Sequence, residues 1–190
     1  MKKIKTKITE AKNNGGMHDL KGYKKAKAMI EDHAYKQARL YHLCLSGSTQ
    51  IEPYKTAVKS LMERLRDHDA PAQYKAALEE DEGKELHMHV FILVEAAKFN
   101  PDHIINRKAG GWLDTMTLKK GITFDINAPR SPIHNPPDKP SYNYASVPKT
   151  KLDKINDCIE WISYLYKTRS KPNIRQIYFS SRPARALIDA

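Results

Sequence analysis

Glu85-Leu86-His87-Met88-His89-Val90-Phe91-Ile92-Leu93-Val94 is the stretch whose reading decides the fold. It reads as a strand, and side chains along a strand alternate between two faces. His87 and His89 therefore share a face. Two imidazoles held side by side on a rigid ladder form a natural half of a metal site. The His-x-His pattern alone has little specificity, because alternating polar residues often simply face water. It gains weight because a tyrosine that can act as nucleophile follows 75 residues after His89.

Working outward, residues Gln73 to Glu80 and Lys84 to Glu95 read as two strands joined through Asp81-Glu82-Gly83. An acidic, glycine-bearing connection of that length suits a hairpin and gives an antiparallel pair. A divalent ion that handles phosphates expects an oxygen ligand beside the two imidazoles. The hairpin brings the end of the preceding strand alongside them. Parity lets Glu79 or Glu80, but not both, face the histidines. Glu79 is the expected third ligand, with Glu80 the alternative; Asp81 and Glu82 read as a solvated tip.

Further out, His18 to Gln37 is helix-compatible, with Tyr23 and Ile30 as anchors. Leu40 to Leu45 reads as a first strand closed by Ser46-Gly47-Ser48. Pro53 sits where a helix can begin, and Ala57, Val58, Leu61, Met62 and Leu65 recur at helical spacing up to Arg66. Asn100-Pro101-Asp102 can start a helix, and Gly121 to Ile126 can form another strand. Residues 129–148 hold six of the eleven prolines and read as an irregular proline-rich loop. Ile174 to Ser181 reads as a last strand. The division expected is a basic N-terminal arm and helix over 1–37, then one domain over 38–190.

From Leu152 to Thr168 the helical period is clear, with Ile155, Cys158, Ile159, Ile162, Leu165 and Tyr166 on one face. The helical wheel separates two neighbouring tyrosines. Tyr166 lies roughly 40° from Ile162 and belongs to the apolar stripe, whereas Tyr164 lies about 160° from the stripe. Tyr164 shares its face with Glu160 and Lys167. The plain reading is a surface tyrosine beside a surface lysine. The sharper one is a nucleophile with a cation at i+3, close enough to share a phosphate. A phenol with pKa ~10 is a poor nucleophile at neutral pH, and an ammonium and a metal-bound phosphate would both favour its ionised form.

The chain of 190 residues carries a formal charge of +11, unevenly spread. Residues 1–27 hold nine lysines against Glu10 and Asp19, residues 164–190 hold six basic residues against Asp189, and the 136 residues between sum to −1. Basic ends on a near-neutral middle point to a polyanion, nucleic acid being the commonest. Two cysteines, Cys44 and Cys158, make no disulfide framework. The lysine-rich N-terminus lacks the apolar segment of a signal peptide, and no apolar run approaches the ~20 residues that span a bilayer. A cytoplasmic protein with no membrane partner is expected.

These residues resemble those of a known family. His87-Met88-His89, followed by Tyr164-Leu165-Tyr166-Lys167, resembles the metal and nucleophile motifs of the HUH endonucleases, which are rolling-circle replication initiators and conjugative relaxases. Leu43-Cys44-Leu45-Ser46 resembles their first, structural motif. Trp161 to Lys171 is particularly similar to the filamentous-phage-type initiators and their prophage relatives. The resemblance spans roughly residues 38–182 and leaves 1–37 unmatched. It departs from the family's paired form in having one tyrosine at the motif unless Tyr166 serves.

The resemblance implies an α+β fold, a central antiparallel β-sheet flanked by helices with a ferredoxin-like or RRM-like core. It implies a site-specific single-stranded DNA nickase and strand transferase acting at a replication origin or hairpin. Mg²⁺ or Mn²⁺ held by His87, His89 and Glu79 would polarise the scissile phosphate. Tyr164 would attack it, leaving a 5′-phosphotyrosine link and a free 3′-hydroxyl. Lys167 would stabilise charge or assist proton movement, and Lys167, Arg169 and Lys171 would bind DNA. With no ATP-binding motif, unwinding would fall to a host helicase.

Two alternatives follow from the same residues. A non-catalytic DNA- or RNA-binding module would use the basic ends and a sheet surface presenting Tyr41, Tyr74 and Phe91. A structural zinc site would use His42, Cys44, His87 and His89. His103 and His134 read as surface histidines, and Gly110-Gly111 as a turn rather than a phosphate loop.

Overall fold

The computed structural model describes residues 19–80, 85–105, 121–138, 143–166 and 177–181. The described elements form an α+β fold in which one antiparallel sheet is flanked by helices. The strands are β1 (Ala38–Ser46), β2 (Ala72–Glu79), β3 (His87–Glu95), β4 (Thr123–Asn127), β5 (Tyr144–Val147) and β6 (Tyr178–Ser180). The helices are α1 (Leu20–Glu31), α2 (Ile51–Asp67), the single turn α3 (Asp102–Ile105) and α4 (Leu152–Ser163), which runs into a 3₁₀ turn over Tyr164–Tyr166. Sheet order is β4-β1-β3-β2-β6, and β5 also pairs with β1. Among the described residues no helix is long and apolar enough to cross a membrane.

Strand β3 lies in the interior, paired with β1 on one side and β2 on the other. Its even-numbered residues Met88, Val90, Ile92 and Val94 face a core built with Leu43 and Leu45 of β1 and Tyr54, Val58, Leu61 and Leu65 of α2. The odd positions Phe91 and Leu93 face a second core, with Leu40, α1 and α4. Burial on both faces explains the near-continuous hydrophobic run, which an edge strand could not tolerate. The histidines occupy the odd parity, so they lie under α4.

Helix α2 begins at Ile51, with Pro53 inside its first turn, where the missing N–H removes no intrahelical bond. The Tyr54 hydroxyl lies 2.7 Å from the Leu86 carbonyl oxygen and ties this helix to the residue preceding His87. Helix α1 belongs to the same core as α4: Tyr23, Ala26, Met29 and Ile30 pack with Ile155, Cys158, Ile159 and Ile162. The helix within 1–37 therefore shares a core with the domain that follows it.

The structure corrects the reading of residues 129–148 as one irregular loop. Strand β5 occupies Tyr144–Val147 and pairs with Ala38 to Tyr41 of β1. Ala145 and Val147 are buried while Ser146 is exposed, which is the alternation of a half-buried strand. The surrounding prolines obscured it. Elsewhere the boundaries shift by a few residues at strand ends, and α1 ends at Glu31 rather than Gln37. The expected hairpin tip Asp81-Glu82-Gly83, the turn Gly110-Gly111, and the basic residues Lys167, Arg169 and Lys171 lie outside the described residues.

A close approach seats the turn that carries Tyr164. Asp19 caps α1 by accepting a 2.8 Å hydrogen bond from the Gly22 N–H. A β-carbon at Gly22 would stand 2.7 Å from Tyr166 Cε1 and would collide with the Asp19 carboxylate. A helical Gly→Ala change ordinarily gains about 1 kcal/mol, but overpacking costs about 1–3 kcal/mol. Gly22→Ala should therefore lower stability in chemical denaturation. A stabilised variant would show that the α1–Tyr166 contact does not constrain this turn.

Candidate metal centre and nucleophile

Cross-strand pairing builds the site. Glu79 of β2 stands directly opposite His87 of β3, and Ala77 stands opposite His89. The small alanine leaves the Glu79 carboxylate room to reach both imidazoles. Its Oε2 lies 3.4 Å from His89 Nε2 and 3.9 Å from His87 Nε2. Glu79 is 3% exposed, so the carboxylate is withdrawn from water. Glu80 is exposed, and parity has chosen between the two acids.

The ligand atoms of Glu79, His87 and His89 all lie within 4.8 Å of one another. Donors about 2.1 Å from one ion stand roughly 3–3.5 Å apart at angles near 90–110°; the Glu79–His89 separation of 3.4 Å falls in that range and the Glu79–His87 separation of 3.9 Å lies just beyond it. Two imidazoles and one carboxylate are a donor set that can hold a divalent cation. His87 Nδ1 is 3.0 Å from the Glu85 carbonyl oxygen, so it donates there and turns the Nε2 lone pair toward Glu79. The donor set fits a metal.

Behind His89 stands a third histidine. His42 of β1 sits diagonally across the ladder, and its Nε2 lies 2.9 Å from His89 Nδ1. His42 stacks on Phe91 with ring centroids 4.1 Å apart. Burial, with His89 and Arg130 nearby, pushes the His42 imidazole well below its ordinary pKa, so it is neutral. A neutral His42 can accept the His89 Nδ1–H, which leaves the His89 Nε2 lone pair for a metal. Such outer partners fix ligand tautomer and orientation. Among the described residues the His42 Nδ1 is buried without a hydrogen-bond partner, at a cost of about 1–3 kcal/mol.

This arrangement corrects the zinc reading. His42 meets the opposite nitrogen of His89 from the one that faces Glu79, and among the described residues neither it nor Cys44 joins the convergent group. The aromatic platform is not formed either. Tyr41 and Phe91 are both fully buried, on opposite faces of the sheet.

Tyr164 closes the site from above. The α-helix ends at Ser163 and tightens into the 3₁₀ turn, which still leaves Tyr164 and Tyr166 on different sides. The Tyr164 hydroxyl donates to Glu79 Oε2 at 3.1 Å, and its ring lies edge-on to His89 at 5.0 Å. Tyr166 is buried, stacked on Tyr178 at 5.2 Å. Burial pushes its hydroxyl well above an ordinary phenol. Tyr164 is half-buried and reaches the carboxylate; Tyr166 is core.

His103 is exposed as expected, but His134 is not a surface residue. It is 6% exposed, and its Nε2 lies 3.6 Å from Cys158 Sγ under α4. Burial pushes the Cys158 thiol up to about 12, so it stays protonated. The local composition around His134 carries no signal of this contact, because the partner comes from a distant helix. In comparisons with known proteins, no family model, curated protein or solved structure matches this chain.

His42→Phe keeps the stacked ring and removes the acceptor for His89 Nδ1. Mn²⁺ affinity by titration calorimetry should fall about 10–100-fold with little change in the melting temperature of the metal-free protein. Unchanged affinity would reduce His42 to a packing residue.

Proposed function

We propose that this chain is a metal-dependent endonuclease of the HUH type that nicks and rejoins single-stranded DNA through Tyr164, serving rolling-circle replication of a mobile element. The observation that carries the reading is the shared carboxylate. Glu79 Oε2 takes the Tyr164 hydroxyl at 3.1 Å and faces both His87 and His89, so nucleophile and metal ligands converge on one point. A surface tyrosine on a structural helix has no reason to sit there.

His87, His89 and Glu79 would hold a divalent cation, Mg²⁺ or Mn²⁺, which would supply polarisation of the scissile phosphate. Tyr164 is held by its hydrogen bond at the edge of that point, on a turn anchored by the buried Leu165 and Tyr166. Attack forms a bond between Tyr164 Oη and phosphorus as the bond from phosphorus to the 3′ oxygen breaks. The phenolic proton has a carboxylate acceptor in Glu79, and the departing oxygen takes up a proton as a 3′-hydroxyl. One phosphodiester replaces another, so the link conserves bond energy and the reverse attack rejoins strands. Lys167, three residues on in sequence, is the proposed source of charge stabilisation for the pentavalent phosphorus. The basic ends of the chain support a polyanionic substrate, and a separate helicase would supply duplex opening.

Incubated with end-labelled single-stranded DNA of randomised sequence and Mn²⁺, the protein should form a covalent adduct that survives denaturing electrophoresis and is absent in chelator. Tyr164→Phe should abolish the adduct, while Tyr166→Phe should retain it. An adduct that persists without the Tyr164 hydroxyl would place the nucleophile elsewhere.

A further inference from the structure

The proline-rich segment, which the nicking chemistry does not use, forms one wall of a cavity beside the metal centre. Asn127 to Ser131 and His134 line a space of about 600 Å³ together with Asp157, Glu160 and Trp161 of α4, and His42, His89 and Tyr164 also border it. The wall is tied down. The Ser131 hydroxyl donates to the Asp157 carboxylate, and the Asn135 side-chain amide donates to the Pro129 carbonyl oxygen. The volume lies within the roughly 300–1,000 Å³ of small-molecule pockets.

The lining distinguishes between parts of a nucleic acid. Among the lining residues, the carboxylates of Asp157 and Glu160 outnumber the one guanidinium, Arg130. In a chain of net charge +11, this lining holds more carboxylates than cations, so a phosphate is disfavoured. Trp161 supplies an aromatic wall, seated edge-on against Phe91 at 5.2 Å and His42 at 5.7 Å. Among the described residues the exposed Glu160 carboxylate has no hydrogen-bond or ion-pair partner. An aromatic wall beside an unengaged carboxylate and the Asn127 amide matches an unstacked base that carries an exocyclic amino group.

We infer that this cavity binds one nucleobase next to the scissile phosphate and prefers an amino-bearing base over thymine, with Glu160 as the acceptor that reads it. The inference rests on the proposed single-stranded DNA substrate and adds a specificity site to it. Thymine offers one ring N–H flanked by two carbonyl oxygens, where adenine, cytosine and guanine each offer an amino group; a carboxylate facing thymine meets at most one donor beside two repelling oxygens and loses its water.

The test separates recognition from chemistry. Wild type and Glu160→Gln are used to select from a randomised single-stranded DNA library in EDTA, and the bound pools are sequenced. Because Glu160 is exposed, the variant retains the fold, which circular dichroism checks. Wild type should deplete thymine at one position, and Glu160→Gln should reduce that bias about tenfold. No positional bias in wild type, or the same bias in the variant, overturns the inference. Adduct formation with Mn²⁺ is scored in parallel. A bias that depends on Glu160 without any adduct supports the pocket and sinks the nicking reading alone; an adduct with an unchanged bias sinks the pocket alone.

Discussion

The pairing register of β2 on β3 is the constraint on which the site depends. Glu79 opposes His87 and Ala77 opposes His89, so a carboxylate and two imidazoles converge only in this alignment. A slip of one residue would turn Glu79 toward the α2 core and bring Glu80 inward. It would also drive Ala76 and Leu78 of β2 out of that core. The buried apolar residues of β2 therefore protect the register of Glu79, and the stability of the sheet and the geometry of the site are one problem.

The opposite wall is set by helix packing. Helix α4 buries Ile155, Cys158, Ile159 and Ile162 on the histidine-bearing face, and Leu165 and Tyr166 continue that anchorage past the helix end. Tyr164 is held between the buried Ile162 and Leu165 at the start of a tight turn, and its hydroxyl can reach Glu79 without a long flexible stem. Helix α1 contributes through Gly22, where the absence of a side chain lets Tyr166 approach. Three elements distant in sequence thus position a single phenol. Burying a carboxylate among two imidazoles and a phenol is costly, and such an arrangement persists where the charge is used.

Much of this was legible in sequence. Period-two alternation identifies β3 and places His87 with His89, hairpin parity narrows the acid to two candidates, and the helical wheel separates Tyr164 from Tyr166. These succeed because each depends on local geometry. Three features were not legible. Strand β5 is four residues long and follows a proline cluster, and its pairing with β1 is a long-range event. The burial of His134 depends on Cys158, 24 residues away. The contact of His42 with His89 depends on the β1–β3 register, which spacing does not encode, so His42 read equally well as a core residue or a zinc ligand. The neighbours that complete the site come from topology rather than from motif.

The account stands on Tyr164 being the atom donor at a metal centre made by Glu79, His87 and His89. Its most direct test is peptide mapping by mass spectrometry of protein reacted with single-stranded DNA and Mn²⁺, after nuclease trimming of the bound strand. The account expects a nucleotide joined through phosphate to Tyr164, with the modification absent when His87 or His89 is replaced by alanine. A nucleotide on Tyr166 or any other residue, or a modification indifferent to the loss of both histidines, would contradict it.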